Sequence, residues 1–455
     1  AVTKNVLPKS TYSQYNTYAD CIEALKSGKI EGFFDDEPVA RNMTSKDTEL
    51  GYIHAPVVKV QYGVGISKDR PEIKATLDAG LKRYKQDGTL KKLDQIWFGS
   101  DEKAKQMPAA KTGSKGTIRC AVAAESEPMV YVRNGKIVGY ETALVTQILQ
   151  DAGYTVELQN MNFDAAIPSV VAHKSDLMFG AVSITEERKQ SLLFSEPTYN
   201  GGVVAVVRKT IQPAASSGFM AGLKESFRRN FLVEDRYKMV LAGLKTTIFI
   251  TIFAAILGTV LGFGVCMLRR SKQKLLSTAA KIFVKVMQGT PLVVFLMIMY
   301  YIVFGKLSIN PMYVAIIAFA INMAAYTSEM MRTGIDAVDK GQLEAAYAMG
   351  FSKVQTFIKI VTPQALKHIL PVYTGEFISM MKMTSVVGYI AIQDLTKMSD
   401  IIRSRTYEAF FPLIVTALIY LVVAWSLTSI LVYLEYKIDP KKRQLTLTGV
   451  QLKQN

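Results

Sequence analysis

Residues 341–366 read GQLEAAYAMGFSKVQTFIKIVTPQAL. Ala345, Ala346 and Ala348 favour a helix and leave it a slim face. Gly350 is suited to ending that helix in a left-handed conformation, and a second helical pattern follows. The stretch is charged, holds no catalytic group and lies between long apolar runs. A short amphipathic helix held beside a membrane has the shape to fill a groove on a partner protein. The flanking runs determine on which side of the membrane it sits.

Four apolar runs reach about 20 residues, enough to cross a bilayer as helices. They begin near Thr246, Val286, Leu307 and Ala409 and end near Leu268, Gly305, Ser328 and Leu434. A fifth segment, Ile369 to Gln393, is interrupted by Glu376 and Lys382. Charge arbitrates. Arg269, Arg270, Lys272, Lys274, Lys281 and Lys285 lie between the first two runs without an acid, which marks that loop as cytoplasmic. Arg332, Lys340, Lys353, Lys359 and Lys367 follow the third run, and the tail KIDPKKR is also basic. Only five spans put all three basic stretches on one side, so the interrupted segment counts as a span. Its polar residues are expected to face a bundle interior or a cavity. The soluble N-terminal half then lies outside.

Gly258 and Gly262 give a small-xxx-small spacing that permits close helix approach. In MQGTPLVV, Gly289 and Pro291 break the second span. GFMAGLKESFRRNFLVEDRYKMV (218–240) alternates basic and apolar positions and reads equally as an interfacial helix or an ordinary linker helix. The formal charge of +16 sits largely beside the apolar runs, so it marks topology and not nucleic-acid binding. Cys21, Cys120 and Cys266 have neither metal-ligand spacing nor a disulfide framework, and His54, His173 and His368 are scattered. No metal or bound cofactor is expected. The opening AVTKNVLPKS has no Met, basic n-region or apolar h-region. A removed leader and a start partway through a longer gene are the two readings, the second preferred.

In residues 116–207, strand TIRCAVAAE leads to a turn at Asn134-Gly135, a helix near Thr142–Ala152, a strand at Tyr154–Leu158, a further helix and strand DLMFGAV. The alternation predicts an α/β lobe. In residues 1–100, CIEALKSGKIEGFFDDEP reads as helix, turn and strand ending in acids. The expected fold class is therefore multi-domain: α/β lobes followed by an all-α polytopic membrane domain of five transmembrane helices. The expected divisions are 1–100, a linker at 101–115, a lobe at 116–210, linker and interfacial helix at 211–238, the membrane domain at 239–438 and a cytoplasmic tail at 439–455.

With Glu344, Ala345, Ala346 and Gly350, followed by Leu370-Pro371, the opening stretch resembles the EAA loop of ABC-transporter permeases. The polar amino acid branch is the most similar. Its RGTPLL-like, AAYxxExxRxGI and KDTSL-like segments correspond to Gln288–Leu292, Ala324–Ile335 and Lys382–Val386. The resemblance covers roughly residues 237–438. Gln288 stands where Arg is usual and Met383 where Asp is usual. The resemblance implies an inner-membrane subunit of an ATP-driven bacterial importer, its loop docked on a separate ATP-binding subunit dimer that holds ATP and Mg. The chain has no GxxxxGK[ST] phosphate loop, so it is not itself an ATPase. A second permease copy, identical or homologous, is implied. Glu329, Arg332, Glu376 and Lys382 are candidates for the translocation path, with a structural Glu329–Arg332 pair as the alternative. An amino-acid-gated channel is the rival reading. It needs a re-entrant filter such as TVGYG, which is absent from the sequence.

FDAAIPSVVAHKSDLMFGAVSITEERKQSLLFSEPTY (163–199) resembles the first lobe of bacterial solute-binding proteins for polar amino acids. The resemblance implies that Arg188 grips a ligand carboxylate, that Ser183 and Ala181 line the same loop, and that Phe163 is an aromatic wall. FFDDEP resembles the second lobe and places Asp36 on the α-ammonium. A guanidinium fork suits a planar carboxylate. Read blandly, Arg188 pairs with Glu186 or Glu187, Asp36 starts a helix, and Phe163 is core. Two departures stand out. Ser126 occupies a usually aromatic position, and the second-lobe piece precedes the first, without its opening strand and Gly-Thr turn. Tandem truncated domains and a permuted single clamshell completed by residues 60–98 both account for this order.

Overall fold

The computed structural model describes residues 10–15, 17–209, 219–305, 307 and 309–438. The first nine residues, linker residues 211–218 and the tail 439–455 lie outside the described residues. In chain order the elements are α1 (Tyr18–Lys26), β1 (Gly32–Asp36), α2 (Glu37–Lys46), β2 (Leu50–Tyr52), β3 (Val58–Tyr62), β4 (Gly65–Ile66), α3 (Pro71–Gln86) and α4 (Thr89–Trp97). There follow β5 (Thr117–Val122), β6 (Glu125–Ser126), β7 (Val130–Arg133), β8 (Lys136–Val138), α5 (Tyr140–Asp151), β9 (Thr155–Asn160), α6 (Phe163–Val171), β10 (Leu177–Phe179), β11 (Leu193–Phe194) and β12 (Tyr199–Arg208). The remainder is helical: α7 (Phe219–Phe227), α8 (Arg236–Arg269), α9 (Lys274–Gly289), α10 (Leu292–Met297), α11 (Pro311–Asp336), α12 (Lys340–Ala348), α13 (Thr362–Met383), α14 (Leu395–Thr406) and α15 (Phe410–Ile438).

The chain divides into two compact units. The first comprises Ala1–Leu244, Tyr300–Ile309 and Val387–Thr416. Among its described residues, β12 is the spine of one sheet, antiparallel to β1 on one edge and to β2 and β3 on the other. A second sheet runs β11-β4-β10-β5-β9. Residues 1–100 therefore contribute to both sheets, and each sheet also draws strands from 117–208. Strands β1 to β3 join β12, whereas β4, α3 and α4 complete the other lobe. Its core holds Ile66, Ile73, Leu77 and Trp97 together with Ile118, Val122, Leu144 and Ile148. A Cβ on Gly80 of α3 would lie 2.3 Å from Ile148 Cγ2, so only glycine lets α3 approach α5 this closely. The two pieces thus build one clamshell, as the permuted reading expects. Its second core gathers Ile22, Leu25, Val39, Met43 and Leu50 against Val204 and Val206. The turn expected at Asn134-Gly135 is present, with both residues at positive φ between β7 and β8.

The second unit comprises Lys245–Met299, Asn310–Val386 and Ala417–Asn455. Among the described residues, three helices are long and apolar enough to cross a membrane: one ending at Arg269, Pro311–Asp336 and Phe410–Lys437. A fourth candidate is a pair, Lys274–Gly289 and Leu292–Val303, bent by 109°. Length and composition thus supply three or four spans, and α13, with Lys367, Glu376 and Lys382, is not one of them. The sequence reading puts Lys274, Lys281 and Lys285 in a loop, yet they lie on helix α9. Pro291 disfavours a helical conformation at the residue before it, and Thr290 is extended (φ −103°, ψ 126°), which is where the bend occurs. The close approach at Gly258 and Gly262 is realised. Added Cβ atoms would lie 2.7 Å from Met323 Cβ and 2.8 Å from Thr327 Cβ on α11.

Candidate functional site

In the first unit a cavity of about 660 Å³ is lined by Asp36, Phe163, Ala181, Ser183 and Arg188. All five residues singled out for ligand contact are brought to it. Of the bland readings, that of Phe163 fails, that of Asp36 holds in part, and that of Arg188 keeps the Glu187 charge as a neighbour. Asp36 does occupy the N-cap position of α2, but its side chain makes no capping bond. Instead its Oδ1 accepts the Tyr62 hydroxyl. Phe163 is 38% exposed at the cavity and therefore not core. The Arg188 guanidinium lies 5.5 Å from the centre of the Phe163 ring. Its Nη1 donates to the Ser183 carbonyl at 2.9 Å, while Glu186 pairs with Lys189 at 2.7 Å.

Local sequence explains how these groups are held. Thr185 caps the one-turn helix Glu186–Lys189 by accepting from the Arg188 N–H, which fixes the guanidinium's base. Ala181 sits at φ 54°, an uncommon conformation for a non-glycine residue. The buried Glu141 holds it there. Its Oε2 accepts the Gly180 and Ala181 N–H groups at 3.0 and 2.8 Å, and its Oε1 accepts the Thr198 hydroxyl at 2.7 Å. Burial pushes the Asp36 carboxyl up to about 6, against the stabilising Tyr62 hydroxyl and Arg188 charge. Burial likewise pulls the Arg188 guanidinium down.

Several lining residues escaped the sequence reading. The wall left open by Ser126 is occupied by Tyr18, whose hydroxyl lies 3.2 Å from Ser126 Oγ. The aromatic arrives from α1 and not from the first lobe, so a search for it at one fixed position fails. Tyr389, Asp400 and Ser404 also line the cavity, from the segment 387–416 that belongs to this unit. Glu141 leaves one sequence signal, an acid in the first turn of α5, whose N-cap is Gly139.

In the second unit, α12 carries Glu344, Ala345 and Ala346, and Gly350 ends it at φ 83°. Asp339 caps its start by accepting the Gly341 N–H at 2.7 Å. Ser352 and Gln355 form a reciprocal capping box for the next turn. Only Ala346 of the four motif residues is buried. Glu344 is exposed, and so are the apolar side chains of Tyr347, Met349, Val354 and Ile358. Of the candidate path residues, Glu329 and Arg332 are brought together. Glu329 is engaged by Arg332, at 2.5 Å, and by Arg269, at 2.5 Å. That is the structural pair of the alternative reading, extended by a third member. Glu376 is half-buried and Lys382 exposed on α13.

Residues 254–440 match the family described as "Binding-protein-dependent transport system inner membrane component". Residues 118–292 match "Bacterial extracellular solute-binding proteins, family 3". The octopine transport system permease protein OccM of Rhizobium radiobacter is 33% identical over 219 residues, 46% of this chain and 89% of that protein. The arginine transport system permease protein ArtQ of Bacillus subtilis (strain 168) is 36% identical over 193 residues, 42% of this chain and 88% of that protein. A solved structure described as an amino acid ABC transporter with histidines is 32% identical, covering 49% of this chain and 99% of that one, with a TM-score of 0.42.

Proposed function

Because the chain belongs to the binding-protein-dependent inner-membrane permeases and carries a solute-binding region in the same polypeptide, we propose that it is the membrane subunit of an ATP-driven importer of polar amino acids with its own receptor lobes. The observation that carries this reading is the coexistence of a charged cavity and an exposed apolar knuckle on the EAA stretch. Arg188 takes the ligand carboxylate in a two-pronged hydrogen bond, and Asp36 takes the α-ammonium. Ser183 and the Ala181 backbone complete the polar contacts, and Phe163 stacks beside the ligand stem. A zwitterion needs both charged partners, because its desolvation is otherwise uncompensated. Fusion of receptor and permease raises the effective concentration of one at the other.

The knuckle at 340–361 docks into a separate ATP-binding subunit, which holds the ATP and Mg, and the closure of that subunit moves the spans. Two permease copies enclose the pathway. Segments 300–309 and 387–416 both pack with the lobes: Lys174 Nζ donates to the Leu307 carbonyl at 2.8 Å, and Lys397 Nζ to Glu125 at 2.7 Å. Helix α11 leaves from the first segment, so a return crossing is needed before the second, and α13 is the helix available. Five spans, extracytoplasmic lobes, a knuckle on the inner side and a cytoplasmic C-terminus in the bacterial inner membrane go with this packing. The divisions expected from the sequence, a lobe ending at 210, linker and interfacial helix at 211–238 and membrane domain at 239–438, go with this reading.

The test is reconstitution of the chain with an ATP-binding subunit encoded beside it. ATP-dependent accumulation of a polar amino acid in vesicles is the expected result. Ligand-evoked ionic current without ATP would overturn the reading in favour of a channel.

A further inference from the structure

The cavity has a wall that a free-standing receptor would lack. Helix α14 and its flanks wedge between the lobes. Met398 and Ile401 enter the core of one, and Tyr407 enters the core of the other. Its cations are spent on the lobes. Lys397 is 3% exposed and bonds Glu125 at 2.7 Å and Asn162 at 2.8 Å. Arg403 pairs with Asp20, and Arg405 with Glu127 and Glu234. On the same helix, Asp400 and Ser404 line the cavity.

The charge balance of the lining is uneven. Among the described residues it contains four carboxylates, Asp36, Glu125, Asp164 and Asp400, and one cation, Arg188. Lys397 neutralises Glu125 from behind. Arg403 lies 3.3 Å from Asp400 but is shared with Asp20. Asp164 is exposed to the cavity and has no ion-pair partner among the described residues. Once a ligand carboxylate occupies Arg188 and an α-ammonium occupies Asp36, three carboxylates, Asp20, Glu125 and Asp400, share the two cations Lys397 and Arg403, and Asp164 adds a further acid. Burial and the neighbouring Glu125 charge hold the Asp400 carboxyl above its ordinary range even though Lys397 and Arg403 act against them.

We propose that α14 is an integral wall of the ligand site and that Asp400, with Asp164 of the first lobe, selects amino acids whose side chain carries a positive charge. This rests on the importer reading above and adds the substrate class to it. A neutral or acidic side chain leaves these carboxylates unpaired, whereas a guanidinium or ammonium compensates them.

The experiment is isothermal titration of the full chain in lipid nanodiscs with arginine, lysine, glutamine and glutamate. The unsubstituted protein is expected to bind arginine or lysine at least about tenfold more tightly than glutamine. Asp400→Asn is expected to weaken arginine binding by about tenfold and to change glutamine binding by less than about twofold. Asp164→Asn changes an exposed position and provides the same readout should Asp400→Asn fail to fold. Tighter binding of glutamine or glutamate would overturn this proposal and leave the importer reading standing. Unchanged arginine affinity in both variants would do the same. Failure to bind any amino acid would overturn both.

Discussion

The cavity proposed to take the ligand and the knuckle proposed to take the ATP-binding subunit are built on opposite principles. The cavity is concave, lined by ionised groups, and held by buried acids such as Glu141 that fix backbone around it. The knuckle presents Tyr347, Met349, Val354 and Ile358 to the outside on a frame stiffened by side-chain caps and by a small core of Val338, Val361, Leu343 and Phe357. A small zwitterion must be recognised atom by atom, whereas a protein lever needs area and rigidity. On the proposed function, selection and force transmission reside in separate places, so each should be removable without the other.

Glu344→Lys is the sharpest way to break this division. It reverses charge on the exposed face of α12 and should abolish amino-acid-stimulated ATPase activity of the assembled transporter. Ligand affinity, read by titration, should stay unchanged; a parallel loss of binding would mean the two regions are not separable. Next is Arg188→Ala, expected to weaken amino acid binding about a hundredfold by removing a charge-assisted pair of hydrogen bonds. Basal ATPase activity should persist, and Arg188→Lys should recover only part of the affinity because an ammonium cannot match the fork. The smallest effect is in pH. Asp36, raised to about 6, is ionised at pH 7.5 and mostly protonated at pH 5. Affinity should therefore fall about tenfold on acidification, and Asp36→Asn should flatten the profile. The empty lobes should show the reverse trend. A carboxyl that binds its proton more tightly when folded adds stability as pH drops from about 6 toward 4. ATPase coupling through Glu344 should not share either dependence.

Much of this was legible in the residues. The alanines and Gly350 of the knuckle specify its helix and stop by local propensity alone, and the Gly258–Gly262 spacing specifies a close helix contact. Arg188, Ser183 and Ala181 lie within one short loop, so their convergence needs no long-range folding. What escaped depends on distant pairing. Tyr18 reaches Ser126 across 108 residues, and Arg405 meets Glu127 across 278. No periodicity carries such information. The bend at Thr290 was anticipated from Pro291, but not that the lysines before it would ride on a helix of their own. Helix α13, proposed as a fifth span, is the least legible, because Glu376 and Lys382 dilute the very signal by which spans are recognised.

Strand β12 bonds on one edge to β1 and on the other to β2 and β3, and β4 is likewise bonded to β10 and β11. The clamshell is thus stitched by main-chain hydrogen bonds running crosswise between an earlier and a later part of the chain. The covalent connection at 98–116 is a leash and not a seam. Cutting it would leave every rung of both ladders in place, so the order in which the two parts are spelled is a matter of gene history and not of mechanical necessity.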